Sequence, residues 1–560
     1  MPLFQRARRR TRSLSGRGAT VAHVLWEHED VGPNPTAPTN PLATAPGDFG
    51  RRLTRSPNGA TLAGPGLQSP ESPVARSPDT DSPSRSPDRL PSTLGELRAS
   101  GWQPRTVKEE LRANLVARLA SGDAAFPGIV GYDETVIPAI ENAILAGQDI
   151  VFLGERGQAK TRLARSLANL LDEHLPVVRG GELNDDPFAP ISAAARALVA
   201  EGGDETPIDW LPRDRRYAEK LATPDITIAD LIGEIDPIRV AEGRYLSDEL
   251  TLHYGLIPRA NRGIFALNEL PDLAERIQVG LLNILEERDV QVRGFTIRLP
   301  LDLFVVASAN PEDYTSRGRI ITPLKDRLGS QIRTHYPRSL EHEVAIMRQE
   351  KQAFPERPGI PPVVVPPFME ELVAELTHLA RRSPDISQRS GVSVRVSVAN
   401  MEVLEAAAVK RAVRLGEPVA APRISDLGAV LASTTGKIEV ESIGEDTPEE
   451  RIVERLVTKA VFATFNRHLR VDDLESVVEA FEGGLMLQTG DRVPARDYLR
   501  AEREVPGLRA AVRRLRAYDA ADGAEEPALS AAAVELVLEG LHLHRRLNKD
   551  RGAAGVTYRR

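Results

Sequence analysis

Apolar residues between positions 92 and 175 recur at spacings that alternate between helical and strand periods. STLGELRASG and VKEELRANLVARLASG predict two short helices, the second with Leu111, Leu115, Val116 and Leu119 on one face. A further helix is predicted in ETVIPAIENAILAG, followed by the strand DIVFLGE and the helix AKTRLARSLANLL. A strand, a glycine-containing loop and a helix in this order indicate an α/β unit with a parallel sheet.

The pattern from residue 176 to about 337 extends this unit. Residues 176–256 form a long insertion with acidic patches, and the strand GIFAL, an amphipathic helix and the strand LDLFVVASAN follow it. Between the last two, DVQVRGFTIRLPL alternates apolar and polar positions on both sides of Arg293 and Gly294. This alternation predicts a β-hairpin inserted at the end of a helix.

After about Pro337 the apolar positions repeat at helical spacing. Helices are predicted in EHEVAIMRQE, FMEELVAELTHLARR, SVANMEVLEAAAVKRAVRLG and EERIVERLVTKAVFATFNRHL. From about residue 486 a last section ends in the helix ALSAAAVELVLEGLHLHRRLNK and a short loose tail. The apolar stripe on that helix either packs within its own domain, which we favour, or docks a partner; it consists of Val534, Val537, Leu538 and Leu541.

The first 92 residues have few periodic apolar positions. They are rich in Pro, Ser, Arg and Gly, and serine-proline pairs recur from Ser56 to Ser86. Such pairs favour extended backbone, so we predict a disordered extension. The RARRR run at 6–10 is either a binding arm or part of a dispensable extension, and we favour the second interpretation. The predicted division is a disordered extension (1–92), an α/β domain (93–337), a helical domain (338–485) and a C-terminal helical region (486–560).

Composition and charge exclude several classes of protein. No apolar run in the 560 residues approaches the roughly 18 residues of a membrane span, and the start lacks a signal peptide, so a cytoplasmic location is expected. The absence of cysteine excludes disulfides, thiolate zinc sites and cysteine nucleophiles. His542 and His544 have no third ligand spaced to join them. The net charge of −8 disfavours general nucleic-acid binding.

The strongest chemical signal is GERGQAKT at 154–161, which fits the phosphate-binding spacing G-x-x-x-x-G-K-[ST] except at Ala159. In such a loop backbone amides cradle phosphate oxygens, Lys160 meets the outer phosphates and the Thr161 hydroxyl ligates magnesium. Alanine is acceptable at 159 if the backbone there is close to helical, because only a positive φ would demand glycine. The predicted nucleotide-binding residues are Gly154, Glu155, Arg156, Gly157, Gln158, Ala159, Lys160 and Thr161.

The strand GIFAL ends in Asn268 and Glu269, where P-loop proteins present their magnesium-binding and water-activating groups. Glu269 occupies the position of a general base. Asn268 stands where an aspartate usually helps to hold magnesium, so it keeps an oxygen but removes a charge. At ~4 Å and an effective dielectric of ~20, one charge pair is worth roughly 4 kcal/mol. We therefore expect Asn268→Asp to change magnesium dependence more than ATP affinity.

Three more polar positions complete the candidate site. Asn310, in SANPED at the next strand end, carries a donor and an acceptor that could orient water or touch a γ-phosphate. Arg327, in PLKDRLG, could reach the γ-phosphate bound to a neighbouring subunit, with Arg319 as the alternative. Arg395, in SGVSVRVS, is the candidate second phosphate sensor, and Arg389 is its competitor.

These motifs, in this order, resemble the AAA+ ATPases, and most of all the helix-2-insert branch that includes the magnesium-chelatase motor subunit and the MoxR-type ATPases. The resemblance covers roughly residues 125–350 and is carried by FLGERGQAKT, DLIGEIDP, HYGLIPRANRGIFALNEL, LLNILEERDVQVRG, FVVASANPEDY and PLKDRLG. The predicted hairpin at 290–299 is the element that names the branch. No GAFTGA-like loop is found, which disfavours a bacterial enhancer-binding transcription activator.

The resemblance implies an α/β fold, namely an AAA+ P-loop domain with a parallel sheet and a helix-2 hairpin insert, followed by a helical lid (residues 338–485) and an extra helical region. It also implies hexameric rings that bind ATP and Mg²⁺ between subunits, and a partner with a von Willebrand factor A domain. The turn Val130–Tyr132 would border the adenine. By position, the implied roles are catalytic glutamate for Glu269, first sensor for Asn310, arginine finger for Arg327, second sensor for Arg395, and magnesium binding for Thr161 and Asn268.

Two hypotheses about function follow. The first is a slowly hydrolysing ATPase ring that remodels a partner protein or assists metal insertion, with magnesium chelatase proper as a less favoured version. The second is a non-hydrolysing, nucleotide-gated scaffold, suggested by Asn268. Glu269, Asn310 and Arg327 have no obvious use in a protein that never hydrolyses, so the sequence favours the first.

Overall fold

The computed structural model describes residues 90–236, 238, 241, 249–287, 290–292, 295–297, 299–310, 319–355, 357–387, 390–441, 448–516, 526–552 and 555–560. The predicted disordered extension, residues 1–92, lies outside these ranges except for residues 90–92. Arg389 and the predicted turn at Arg293 and Gly294 also lie outside them. Within the described ranges, no helix combines the length and the apolarity needed to cross a bilayer.

The described helices include those predicted from the sequence and several that were not predicted, among them helices in the insertion. In chain order they are Leu94–Ala99 (α1), Val107–Ser121 (α2), Val136–Ala146 (α3), Lys160–Ser166 (α4), Ala193–Gly202 (α5), Ile228–Leu231 (α6), Leu256–Arg259 (α7), Glu275–Glu287 (α8), Thr322–Arg327 (α9), Leu340–Glu350 (α10), Pro367–Arg382 (α11), Val394–Leu415 (α12), Val430–Thr434 (α13), Glu449–His468 (α14), Glu475–Glu482 (α15), Ala495–Glu504 (α16), Leu508–Arg516 (α17) and Pro527–Leu543 (α18). The predicted apolar face of α2 is only partly buried. Leu111 and Leu115 are buried as predicted. The prediction for Val116 and Leu119 is wrong, since they are 51% and 45% exposed. Val116 lies about 100° around the helix from Leu115, outside the buried stripe.

A five-stranded parallel sheet forms the centre of the α/β domain. The described strands are Ile150–Leu153 (β1), His174–Val178 (β2), Ile208–Pro212 (β3), Tyr217–Leu221 (β4), Gly233–Ile235 (β5), Leu252–Tyr254 (β6), Gly263–Asn268 (β7), Val290–Val292 (β8), Phe295–Ile297 (β9), Leu303–Ala309 (β10), Ser330–Arg333 (β11), Leu487–Thr489 (β12), Asn548–Gly552 (β13) and Gly555–Arg559 (β14). The sheet has the order β11-β1-β10-β7-β4. Its carboxyl edge therefore gathers the ends of β1, β7 and β10, which carry the candidate site.

The central strands were predictable and the edge strands were not. β1, β7 and β10 are nearly continuous apolar runs buried on both faces, which is typical of parallel strands between helices. The edge strands β4 and β11 read YAEKL and SQIR, and their side chains are mostly half-buried or exposed. β4 lies inside the segment that the sequence predicts as an insertion, so the insertion contributes an edge of the sheet.

The predicted hairpin is confirmed. β8 and β9 pair antiparallel with Val290 opposite Ile297 and Val292 opposite Phe295, directly after α8. Two further antiparallel pairs, β2 with β3 and β5 with β6, lie in the segment before β7.

The helical lid and the C-terminal region share one hydrophobic core. This core contains buried side chains from Val344 to Tyr558, and the predicted boundary at 485/486 falls inside it. On α18, Val534, Val537, Leu538 and Leu541 have no exposed surface. The stripe therefore packs within its own domain, as favoured from the sequence.

The prediction of a loose tail after α18 is wrong. β13 and β14 form an antiparallel hairpin, and β14 also pairs with β12. Tyr558 is 3% exposed because its side chain enters the shared core, while its neighbours Thr557 and Arg559 face outward or partly outward. The alternation was too short to be recognised as a strand from the sequence.

Candidate nucleotide site

The loop at 154–161 joins β1 to the start of α4, as the sequence predicts. Gly157 has φ +75°, and a Cβ at Gly154 would overlap the Thr334 hydroxyl, so both glycines are required by geometry. Ala159 has φ 55° and ψ 16°, which is the left-handed region. The expectation of a near-helical backbone at Ala159 is therefore wrong, because the loop turns through this residue into the first amide of α4. A left-handed conformation costs a residue with a Cβ roughly 1–2 kcal/mol.

Lys160 and Gln158 stabilise the loop from inside. The ammonium of Lys160 donates to the carbonyls of Gly154 and Glu155, the second at 3.0 Å, and the side chain is buried. The Oε1 of Gln158 accepts from the Glu155 amide at 3.1 Å and from the Thr334 hydroxyl at 2.8 Å. The lysine cation is thus held at the mouth of a loop whose shape is fixed by side-chain hydrogen bonds.

A cavity of about 720 Å³ opens beside this loop, a size that suits a nucleotide. The cavity brings together most of the predicted residues, including the loop from Glu155 to Thr161, Glu269 and Arg395. Gly128, Ile129, Val130 and Tyr132 line another side of it, where the adenine was expected. No sequence motif marks the further apolar residues that line the cavity, namely Pro337, Ile346, Val394 and Val398.

Tyr132 connects this apolar side to the loop. Its hydroxyl lies 3.0 Å from the Gln158 carbonyl and 2.7 Å from the His335 carbonyl. Burial raises the pKa of Tyr132 to about 12, so the phenol stays a neutral donor at physiological pH.

Glu269 follows β7 in a strained conformation. Its φ is 55°, uncommon for a residue other than glycine, and its amide donates to the Ser308 hydroxyl at 3.2 Å. Asn268, the preceding residue, is 8% exposed and also contacts Ser308, which donates to its Oδ1 at 3.2 Å. The ends of β7 and β10 are therefore joined at the residue proposed as catalytic.

Asn310 lies at the end of β10 and is 4% exposed. Among the described residues, none donates a hydrogen bond to its buried Oδ1. The amide of Gly154 donates to the carbonyl of Ala309 at 3.1 Å, which places the neighbouring Asn310 beside the first residue of the loop. A buried acceptor beside a phosphate loop suits a water molecule or a metal-bound water.

Comparison with known proteins finds partial similarities in sequence. A family model described as the Sigma-54 interaction domain matches residues 242–330. The chain is 28% identical to the magnesium-chelatase subunit ChlI of Nostoc sp. (strain PCC 7120) over 263 residues, 46% of this chain and 64% of that protein. It is 27% identical to the chloroplastic subunit ChlI-1 of Arabidopsis thaliana over 240 residues, 42% of this chain and 53% of that protein. The chain thus spans less than two thirds of these relatives.

The chain has an AAA+ fold and resembles the magnesium-chelatase I subunit. Solved structures similar to it include a putative ATPase from Cytophaga hutchinsonii, with 17% identity, a TM-score of 0.28 and coverage of 65% of this chain and 98% of that one. Another is a magnesium-chelatase BchI–BchD complex, with 21% identity, a TM-score of 0.31 and coverage of 60% and 98%.

The AAA+ domain presents oxygen ligands that fit magnesium. Thr161 offers a hydroxyl and Glu269 a carboxylate at the cavity wall. The amide oxygen of Asn268 accepts from Ser308, and neither Asn268 nor Asn310 is among the described residues that line the cavity. Magnesium commonly keeps several waters and takes only one or two protein ligands beside the phosphates. Among the described residues there is no group of three or more acidic or histidine side chains that would form a separate metal site.

The two predicted arginines of the AAA+ domain and the lid lie in different places. Arg395 is exposed on α12 and lines the cavity. Ser393, which caps α12, lies so close to the loop that a Cβ at Gly157 would overlap it. Arg327 ends α9 with 41% of its side chain exposed, and it is absent from the described residues that line the cavity of its own chain. Arg319, the alternative finger, is also exposed.

Tyr336 joins the AAA+ domain to the lid, and sequence reasoning missed it. Its hydroxyl donates to the carbonyl of Arg156 in the loop at 2.9 Å, and the guanidinium of Arg381 stacks 4.3 Å from its ring centroid. Arg381 in turn forms an ion pair with the buried Glu343 at 2.7 Å. No motif marks these residues, because the contact depends on the packing of α10 and α11 against the loop.

Proposed function

We propose that this protein is an ATP-hydrolysing AAA+ ring protein. The observation that carries the proposal is that Lys160, Thr161 and Glu269 line one cavity together with the lid residue Arg395. Glu269 has a strained backbone conformation at the cavity wall, and strain of this kind is typical of functional positions. A scaffold that only binds nucleotide would not need it.

The proposed hydrolysis uses the chain's own groups in distinct roles. Lys160 and the loop amides hold the β- and γ-phosphates. Glu269 accepts a proton from a water molecule whose oxygen bonds to the γ-phosphorus, while the bond from that phosphorus to the β–γ bridging oxygen breaks and leaves ADP and phosphate. Asn310 orients the water through its unused acceptor. Magnesium, bound near Thr161 and Asn268, would neutralise part of the phosphate charge.

The ring assembly is proposed from Arg327. Its exposed position away from its own cavity suits a finger that stabilises the charge at a γ-phosphate bound to the next subunit. A hexamer in the cytoplasm, working with a partner that carries a von Willebrand factor A domain, remains the favoured assembly. The named relatives are subunits of a magnesium chelatase, so remodelling of a partner or assistance in metal insertion is the favoured task, and chelatase activity proper is the narrower alternative. Sigma-54 binding is not proposed, because the chain has no GAFTGA-like loop.

A single-turnover assay of phosphate release tests the proposal. Wild type should release phosphate with Mg²⁺ present, and Glu269→Gln should bind ATP with similar affinity while losing most of the rate, by about a hundredfold or more. Equal rates for the two proteins would overturn the motor hypothesis. That result would favour the nucleotide-gated scaffold, for which the replacement of a charged ligand by Asn268 is the specific observation.

A further inference from the structure

The ends of three neighbouring strands are joined by one chain of hydrogen bonds that begins on α4. Arg165 donates to both carboxylate oxygens of Glu219, on β4, at 2.7 and 3.1 Å. Glu219 accepts from the Nδ2 of Asn268 at 2.7 Å. Asn268 accepts from Ser308, and Ser308 accepts from the amide of Glu269. An exposed arginine is thereby connected to the backbone of the proposed general base.

Glu219 determines which way the amide of Asn268 faces. An ionised carboxylate only accepts hydrogen bonds, so the NH₂ group of Asn268 must point to β4. Its oxygen, the only atom of the amide able to take part in magnesium binding, then points away from β4 towards Ser308. The Glu219 side chain is only 20% exposed and is held by Arg165 and Tyr217, so the constraint is rigid.

Asn268 and Glu219 together also place the negative charge on β4 instead of at the end of β7. The strand end at 268 carries an amide where P-loop ATPases usually carry an acid, and the acid stands one strand away at 219, in hydrogen-bond contact. Arg165 donates to both oxygens of Glu219, the two-point geometry in which a guanidinium binds a carboxylate.

We propose that Glu219 is a positioning residue that orients Asn268, and through Ser308 the backbone of Glu269, for magnesium-dependent ATP hydrolysis. This inference rests on the proposed function. It gives a direction to the change in magnesium dependence expected for Asn268→Asp, because an aspartate at 268 would place a second carboxylate against Glu219 at the present contact distance of 2.7 Å. The single exchange should therefore impair magnesium binding.

The exchange of both residues should restore it. In Glu219→Gln alone, the donors of Arg165 draw the oxygen of the new amide, whose NH₂ group then faces Asn268 and favours the wrong orientation. In the double variant E219Q/N268D, the NH₂ group of residue 219 donates to the new carboxylate. The contact of residue 219 with Arg165 and that of residue 268 with Ser308 are then both kept. The two single exchanges should be harmful and the double exchange close to neutral, which is a coupling that independent residues do not show.

The test measures two properties of wild type, E219Q, N268D and E219Q/N268D. The first is the Mg²⁺ concentration that half-saturates binding of a fluorescent non-hydrolysable ATP analogue, and the second is kcat and KM for ATP. Each single variant should need about tenfold more Mg²⁺ and lose about tenfold in kcat, with KM changed less than about threefold. The double variant should return within about threefold of wild type in both. Glu234→Gln, at an exposed position on β5, is the matched control for E219Q.

The outcomes separate this inference from the proposed function. If wild type binds the analogue with Mg²⁺ but releases no phosphate, the ATPase proposal fails while the Mg²⁺ midpoints still test Glu219. If E219Q leaves the Mg²⁺ midpoint and kcat at the wild-type values, or if the double variant is as poor as the worse single variant at unchanged thermal stability, the positioning role is overturned.

Discussion

The hydroxyl of Tyr336 and the carbonyl of Arg156 form a 2.9 Å hydrogen bond between the residues leading into the lid and the phosphate loop. Because the guanidinium of Arg381 stacks on the same ring, Tyr336 contacts both a lid helix and the loop. Loss of the hydroxyl should therefore affect nucleotide binding more than folding.

For Tyr336→Phe we expect ATP affinity to fall by about three- to tenfold, because one hydrogen bond is worth about 1 kcal/mol. Isothermal titration with a non-hydrolysable analogue measures this. The matched control is Tyr254→Phe, whose hydroxyl contacts Glu249 and does not line the cavity. Equal affinity losses in the two variants would contradict a specific link between lid and loop.

Ala159→Gly should stabilise the protein by up to about 1 kcal/mol, because glycine removes the left-handed strain at φ 55°. Part of the gain is offset by the greater freedom of glycine in the unfolded chain. Thermal unfolding without nucleotide measures the change. Ala113→Gly, in the exposed interior of α2, is the control and should lose about 1 kcal/mol. A loss of stability at 159 would mean that the backbone there is not left-handed in solution.

Arg327→Ala should retain ATP binding and lose most of the hydrolysis, by about a thousandfold if it is a finger. Mixing it with Glu269→Gln provides the decisive measurement. In a mixed ring, the Arg327 of one variant can meet the cavity that retains Glu269 in the other, so activity should reappear on mixing two inactive proteins. Arg319→Ala is the comparison. No recovery, with both proteins shown to assemble together, would contradict action between subunits.

The buried Glu343 should make the lid sensitive to acid. Burial alone would raise its pKa, but His378, Arg381 and Ser397 surround it and hold the pKa below its ordinary value. A pKa that is lower in the folded state contributes stability above the unfolded value, and this is lost as pH falls through the folded value. Glu343→Gln should therefore cost about 3 kcal/mol at pH 7 and clearly less below pH ~4.

Urea unfolding at both pH values measures the effect of Glu343→Gln. Exposed Glu450, at the start of α14, supplies the control exchange, which should change stability by less than about 0.5 kcal/mol at either pH. A loss for Glu343→Gln that is the same at both pH values would show that the charge of Glu343 does not stabilise the lid.

The features that could be predicted from the sequence are those encoded by residues close together in the chain. β1, β7 and β10 were predicted because full burial produces apolar runs, and the loop at 154–161 because its chemistry lies in eight consecutive letters. β4 was not, because an edge strand needs few apolar residues. With β4 unrecognised, the sequence could not identify Glu219 as a neighbour of Asn268.

Local backbone conformation and packing between domains could not be predicted from the sequence either. The identity of Ala159 argued for a helical φ, but the turn imposed by the flanking residues prevailed. The contact between Tyr336 and Arg156 joins residues 180 positions apart, and no local pattern encodes it. The short alternation around Tyr558 was overridden by the expectation of a frayed end.

The shared core of the lid and the C-terminal region has a mechanical consequence. Gly540 of α18 packs so closely on Phe465 of α14 that even a methyl group would not fit between them. Because that contact leaves no free space, α14 and α18 should move as one rigid unit. A rotation of the lid about its junction with the phosphate loop would therefore also displace β12, β13 and β14. A variant with a larger residue at 540 should therefore disturb the packing of α14 and α18 and loosen this coupling.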